Sequence, residues 1–202
     1  MKILFLTNNE ITVPLHDWLR DFRGEETVLT GERLSREFIE STRPDFSVSY
    51  NYRFILPPDQ IALLHDKIIN IHISLLPWNR GVAPNLWSFL KDTPKGVTIH
   101  KIDAGLDTGQ ILAQEEVVFD EQSETLESSY QKLHEHAQRL FRKNWSKIRQ
   151  RLIPGKIQSG SGSSQSKADF DAIKHITEPE GWRIPIPELK RRYTASMFAD
   201  PS

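Results

Sequence analysis

Asn70 and His72 stand two residues apart inside an otherwise apolar run, Ile68-Ile69-Asn70-Ile71-His72-Ile73-Ser74-Leu75-Leu76-Pro77. Read as a strand, positions i and i+2 share a face, so the amide and the imidazole lie side by side. Buried polar groups cost free energy unless they find partners. Such a pair is either a reaction site or a core histidine bonded to a neighbouring asparagine, and the pair alone does not decide. Gly96-Val97-Thr98-Ile99-His100 repeats the pattern, and the turn Asp103-Ala104-Gly105-Leu106-Asp107-Thr108-Gly109 follows it with two carboxylates. Alone, Asp107 is an ordinary turn residue. Together, Asn70, His72 and a nearby carboxylate make a set suited to acyl transfer. An amide N–H and an imidazole stabilise a developing oxyanion. A carboxylate orients the imidazole and takes a proton from an attacking amine.

No covalent nucleophile accompanies the set. Ser74 lacks a Gly-x-Ser-x-Gly elbow, and the chain has no cysteine. This favours direct transfer between two bound substrates. No His-Glu-x-x-His spacing or Walker A motif occurs, no metal is expected, and Thr7-Asn8-Asn9 is not a dinucleotide fingerprint.

The elements that must position these residues alternate. Lys2–Thr7 reads as a buried strand, 14–22 as a helix with Leu15, Trp18, Leu19 and Phe22 at helical spacing, Glu26–Thr30 as a short strand, and Gly31–Ser41 as a helix. Asp45–Tyr50 is a strand, Pro57–His65 a helix, Lys67–Ser74 a strand, Pro84–Leu90 a short helix, and Val97–Ile102 and Ile111–Phe119 strands. A long helix capped by Ser123 follows, with an apolar stripe from Leu126 to Leu152 and a basic face read as solvated. The pattern predicts an α/β fold: an open, mostly parallel, Rossmann-like sheet flanked by helices, with a small C-terminal subregion. The domain division is 1–153, catalytic, and 154–202, a C-terminal segment serving as dimer contact or lid. Ser159–Ser166 is flexible in composition, and a last helix spans Glu188–Phe198.

Composition sets bounds. The chain has 202 residues, enough for one full-sized core and a small appendage. A formal net charge of −1 gives no global field toward nucleic acid or anionic membrane. No apolar run approaches the ~20 residues a membrane helix needs, so neither a membrane nor a nucleic acid is expected as partner. The absence of cysteine suits a cytoplasmic location.

Asn70-Ile-His72-Ile-Ser74-Leu-Leu-Pro77, Arg80-Gly81, Gly96-Val-Thr98-Ile-His100 and Asp103-Ala-Gly-Leu-Asp107-Thr-Gly109 resemble the N10-formyltetrahydrofolate-dependent formyltransferases, densely from Ser49 to about Val118. The resemblance implies Asn70, His72 and Asp107 as catalytic residues and N10-formyltetrahydrofolate as co-substrate. Tyr52, Arg53, Phe54, Ile55 and Leu56, with Asp103, Ala104, Gly105 and Leu106, would bind the pterin. Asn79, Arg80, Thr98 and His100 would serve the second substrate, Arg80 as a diphosphate ligand. Leu76–Gly81, Pro84–Leu90 and Lys167–Ile173 look most like the sugar N-formyltransferases, which implies a dTDP-linked amino-dideoxy sugar as partner. The oligomeric state stays open, with the small C-terminal segment as the candidate interface of a homodimer. Two other readings follow: a methionyl-tRNA formyltransferase-like enzyme without the usual C-terminal tRNA domain, and a non-catalytic folate- or nucleotide-binding module. The second draws on the short stretch of about 70 residues ahead of His72, where the second strand looks trimmed.

Overall fold

The computed structural model describes residues 1–65 and 67–198. Six strands form one sheet: β1 (Lys2–Leu6), β2 (Glu26–Thr30), β3 (Phe46–Tyr50), β4 (Ile68–His72), β6 (Gly96–Lys101) and β7 (Ile111–Glu116), in the order β2-β1-β3-β4-β6-β7. The pairs β1–β2, β1–β3 and β3–β4 are parallel, and β4–β6 is antiparallel. The expected α/β fold with an open, mostly parallel sheet is what forms, including the short second strand. The helices are α1 (Val13–Asp17), α2 (Arg36–Thr42), α3 (Pro58–Leu63), α4 (Pro84–Leu90), α5 (Leu126–Arg149), α6 (Lys167–Ile173) and α7 (Ile186–Phe198). A two-residue pair, β5 (Arg80–Gly81) with β8 (Ser164–Gln165), completes the set.

The chain condenses into two compact units interleaved along the sequence, rather than dividing at 153. The first holds 1–72, 98–114 and 137–158, and the second holds 73–97, 115–136 and 159–202. In the first, strand alternation sorts the core. Leu4, Leu6 and Ile68 face α2 and α3, packing with Leu34, Ile39, Ile61 and Leu64. Ile3, Phe5, Phe46 and Val48 point to the other face, where Phe46 meets Trp145 at 5.5 Å and Trp145 stacks on Phe141. Burying each such aromatic stabilises the fold by roughly 1.5–3 kcal/mol.

The second unit has its own core of Leu86, Trp87, Phe89, Leu90, Leu126, Ile176, Ile184, Ile186 and Leu189. The C-terminal residues are part of that core rather than a separate appendage. Leu126 N–H donates to Ile184 O and Ile186 N–H to Glu124 O.

Several boundaries move for physical reasons. After α1 the chain widens into a five-residue turn, Trp18–Phe22, closed by Arg23 N–H to Trp18 O. Helix α2 starts at Arg36, because Ser35 caps it by accepting from Phe38 N–H. Helix α5 is capped by Thr125 rather than Ser123. Thr125 Oγ1 accepts from Ser128 N–H and Ser128 Oγ accepts from Thr125 N–H, while Ser123 Oγ donates to Asp120 O in the preceding turn. The Gly/Ser-rich segment is built into the structure. Ser163 bonds Asn79, Ser164 and Gln165 pair with Arg80 and Gly81, and Ser166 forms a capping box with Asp169 at the start of α6. Its serines serve as caps and hydrogen-bond partners, a use that composition does not reveal. Among the described residues, no helix is long and apolar enough to cross a membrane.

Candidate active site

Register places the polar pairs. Asn70 lies opposite Ser49 on β3 and His100 on β6, and His72 lies opposite Thr98. All share the sheet face of Leu4, Leu6 and Ile68, to which β3 contributes Ser47 and Ser49 and which becomes the polar block at Asn70, His72, Thr98 and His100. Asn70 Nδ2 donates to Asp107 Oδ1 at 3.2 Å and stands 3.2 Å from His100 Nε2. His100 Nδ1 lies 2.8 Å from Lys101 O, a carbonyl that only accepts. The neutral His100 ring therefore carries its proton on Nδ1 and accepts from Asn70 through Nε2. Asp107 Oδ2 lies 3.7 Å from His72 Nδ1, and Asp107 Oδ1 lies 3.5 Å from His100 Nε2.

The side chains of His72, His100 and Asp107 are 9%, 2% and 12% exposed. One carboxylate thus faces two imidazoles and an amide, with only a small opening to solvent. Such a site has a low effective dielectric, where charge–charge terms outweigh those at a surface. The 3.7 Å separation suits a site that tightens when substrate excludes water.

Asp107 reaches this position by a local fold. It adopts φ 52°, a left-handed conformation that Asp tolerates better than most residues. Asp103 Oδ1 accepts from Gly105 N–H at 3.1 Å and Thr108 Oγ1 at 2.6 Å. A Cβ on Gly109 would stand 1.8 Å from Lys101 O, so that position admits only glycine.

A second loop follows β3. Asn8 ties it to its neighbours: Asn8 N–H donates to Asn51 O, Nδ2 donates to Gly31 O, and Oδ1 accepts from Arg53 N–H. Tyr52 donates to Glu32 O and accepts from Leu34 N–H, and burial pushes its hydroxyl pKa up. Two guanidiniums lie over the Phe54 ring, Arg33 at 4.6 Å and Arg53 at 4.7 Å from its centroid. Leu56 is buried in the α2/α3 core, so it anchors the loop and cannot line a ligand. Ile55 is 76% exposed, and Leu106 on the Asp107 turn is 45% exposed.

Three of the expected substrate contacts are relocated. Thr98 has no exposed surface and accepts from Gln114 Nε2. His100 is 1% exposed, with both ring nitrogens engaged inside the chain. Asn79 has no exposed surface; its Nδ2 donates to Thr93 Oγ1 and its Oδ1 accepts from Ser163 Oγ. A group with no accessible surface cannot touch a ligand in this conformation, so the three support their surroundings. Arg80 is half-buried on β5. Gln158 went unnoticed in the sequence. Its Nε2 donates to Asp107 O and Gly109 O, both at 2.8 Å, and no local motif announces a glutamine 51 residues away.

A family model for formyl transferases matches residues 27–144, more than half of the chain. The chain belongs to the formyl transferase family. A structure of the formyltransferase PseJ from Anoxybacillus kamchatkensis, in complex with UDP-4,6-dideoxy-4-formamido-L-AltNAc and tetrahydrofolate, is 40% identical, with a TM-score of 0.85 over 94% of this chain and 97% of that one. A sugar N-formyltransferase from Shewanella sp, 20% identical, shares the fold with a TM-score of 0.79 over 96% of this chain and 87% of that one. Methionyl-tRNA formyltransferase of Thermodesulfovibrio yellowstonii is 35% identical over 123 residues, 60% of this chain and 40% of that protein. The chain spans about two fifths of the length of the curated relatives it matches.

Proposed function

We propose that this protein transfers a formyl group from N10-formyltetrahydrofolate to the amine of a nucleotide-linked amino-dideoxy sugar. The observation that carries the reading is the meeting of Asn70, His72 and Asp107 on one polar face, in a chain that matches a folate- and nucleotide-sugar-bound formyltransferase over nearly its whole length. The residues fit a reduced folate. Ile55 and Leu106 offer exposed apolar surface on the two loops, and the 103–106 turn offers backbone groups to a flat, polar-edged ring. Tyr52, Arg53 and Phe54 shape the first loop, and Asp103 shapes the second.

The bound folate supplies the formyl carbonyl that the sugar amine attacks. His72 presents Nδ1 to Asp107, and in this reading its Nε2 is the nitrogen that meets the formyl oxygen. That nitrogen, protonated, stabilises the carbonyl oxygen as it gains negative charge. Asp107 holds the ring and takes up the amine proton, directly or through water; as the oxyanion collapses, the bond between the formyl carbon and folate N10 breaks, and N10 leaves with that proton as the amine of tetrahydrofolate. Asn70 has two amide protons, and both are directed inward, to Asp107 and to His100. Donation by Asn70 to the oxygen therefore requires it to release or share one of these 3.2 Å bonds. His100 fixes Asn70 from behind. Arg80 is assigned to the diphosphate.

Two features widen the set of nucleotides and acceptors to be tested. The 40% identical enzyme holds a UDP-linked sugar, which supports UDP as an alternative to the dTDP expected from the sequence. The 35% identity to a methionyl-tRNA formyltransferase supports a second acceptor, methionyl-tRNA. The test is a transfer assay with N10-formyltetrahydrofolate against UDP- and dTDP-linked 3- and 4-amino sugars and methionyl-tRNA. Formylation of a nucleotide sugar is expected. Formylation of methionyl-tRNA alone, with salt-sensitive binding, would overturn the sugar reading. Folate binding without turnover on any acceptor would favour a non-catalytic module.

A further inference from the structure

Asp107 sits on a turn whose first half is tied internally by Asp103 and whose second half is held from outside. Gln158 Nε2 carries two protons, and they go to the carbonyls of Asp107 and Gly109, each at 2.8 Å. Two residues earlier, Lys156 and Ile111 exchange backbone hydrogen bonds at 2.8 Å. Gly155 lies against Gln110 so closely that a Cβ there would stand 2.4 Å from Gln110 Oε1. Residues 155–158 thus run beside 107–111, fixing them at three successive points just past the end of α5.

We propose that Gln158 is the positioning residue for Asp107, holding the turn so that the carboxylate faces His72; this rests on the formyl-transfer reading above. Asp107 is left-handed, and its neighbour Gly109 has no side chain to anchor the backbone. Bonds to its carbonyls restrict how such a turn can rotate. A single primary amide gripping the carbonyls on either side of Thr108 fixes both the depth and the rotation of the peptide that carries the carboxylate. Displacing a reacting group by about 1 Å costs on the order of 10²-fold in rate.

Two isosteric variants test this. Gln158→Met keeps the length and removes both donors. Gln158→Glu keeps the shape and turns a carboxylate toward two carbonyl oxygens. The expected result is a kcat reduced about tenfold or more for Met and further for Glu, with KM for the amine changed less than about threefold. Amide hydrogen exchange across 106–110 is expected to quicken in both, and Ile157→Ala, an exposed neighbour, should match wild type in every measurement. Wild-type kcat in both isosteric variants would overturn the proposal, since packing alone needs only the shape. If the Glu variant does not fold, Gln158→Met decides. If wild-type protein formylates no acceptor, the functional reading fails by itself, and exchange still judges the brace: unchanged rates at 106–110 in Gln158→Met overturn it, quickened rates uphold it.

Discussion

Asn70 and Asn79 are both asparagines set among apolar residues, one in each compact unit, yet they keep different company. Asn79 is enclosed by the hydroxyls of Thr93 and Ser163. Asn70 is enclosed by an imidazole and a carboxylate. Hydroxyl partners satisfy a buried amide and nothing more. Titratable partners give it a neighbourhood whose charge can change during a reaction. His134 and His72 also differ in their surroundings. His134, in the second unit, packs its ring 4.3 Å from that of Tyr130, and burial alone pushes its pKa down to about 3. His72 has Asp107 within 3.7 Å. A titratable partner alone does not mark a site, since buried His16 lies 3.1 Å from Asp17; what distinguishes Asn70 and His72 is that they share one carboxylate, Asp107.

The largest effect expected on this contrast comes from Asp107→Asn. It keeps the shape and the left-handed tolerance but removes the charge that turns the network from structural to reactive. Turnover should fall by roughly 10³-fold, with melting temperature and folate affinity retained. A near-normal rate with a normal melt would return Asp107 to the standing of a turn residue.

Next come Asn70→Ala and His72→Ala, each expected to lower kcat by on the order of 10²-fold with small changes in substrate binding. If Asn70 acts only by bridging His100 and Asp107, its loss will be the milder of the two. Wild-type-like turnover in both variants would remove the oxyanion assignment.

Much of this was open to reading in the chain. The i, i+2 polar pairs at 70/72 and 98/100 survive as a face because strand alternation is local. The strand–helix alternation gave the sheet for the same reason. What the chain hid is what depends on distant partners. The burial of Asn79 and Thr98 depends on Ser163 and Gln114, and the order in Ser159–Ser166 depends on Arg80 and Asn79. Gln158 reaches Asp107 across 51 residues. Ser123 looked like the cap of α5, but the Asp120 turn claimed its hydroxyl and left the cap to Thr125.

His134 supplies a prediction with a definite sign. The unfolded imidazole titrates near 6.5, and the folded one is held down at about 3 by burial. Below the unfolded value, the unfolded chain binds the proton that the folded chain refuses. Stability from this group is whole above about pH 6.5 and is lost progressively as pH falls toward 3. The loss amounts to at most a few kcal/mol. His134→Leu should melt less steeply with acid between pH 6 and 4 than wild type. Parallel melting curves across that range would show that the imidazole titrates freely in the fold.

The smallest effect, and the one that most sharpens the contrast, belongs to Asn79→Ala. Asn79 adopts φ 54°, where Asn is tolerated and Ala is not favoured. The change also leaves the hydroxyls of Thr93 and Ser163 without its amide. A stability loss of roughly 1–3 kcal/mol follows from leaving buried polar groups unpaired. Because the side chain has no exposed surface, kcat and KM for the nucleotide sugar should match wild type at temperatures where the variant is folded. Steady-state kinetics beside a thermal melt separates the two roles. A raised KM for the sugar nucleotide with an unchanged melt would mean that Asn79 turns outward to the substrate, and that its satisfied burial here is not its working state.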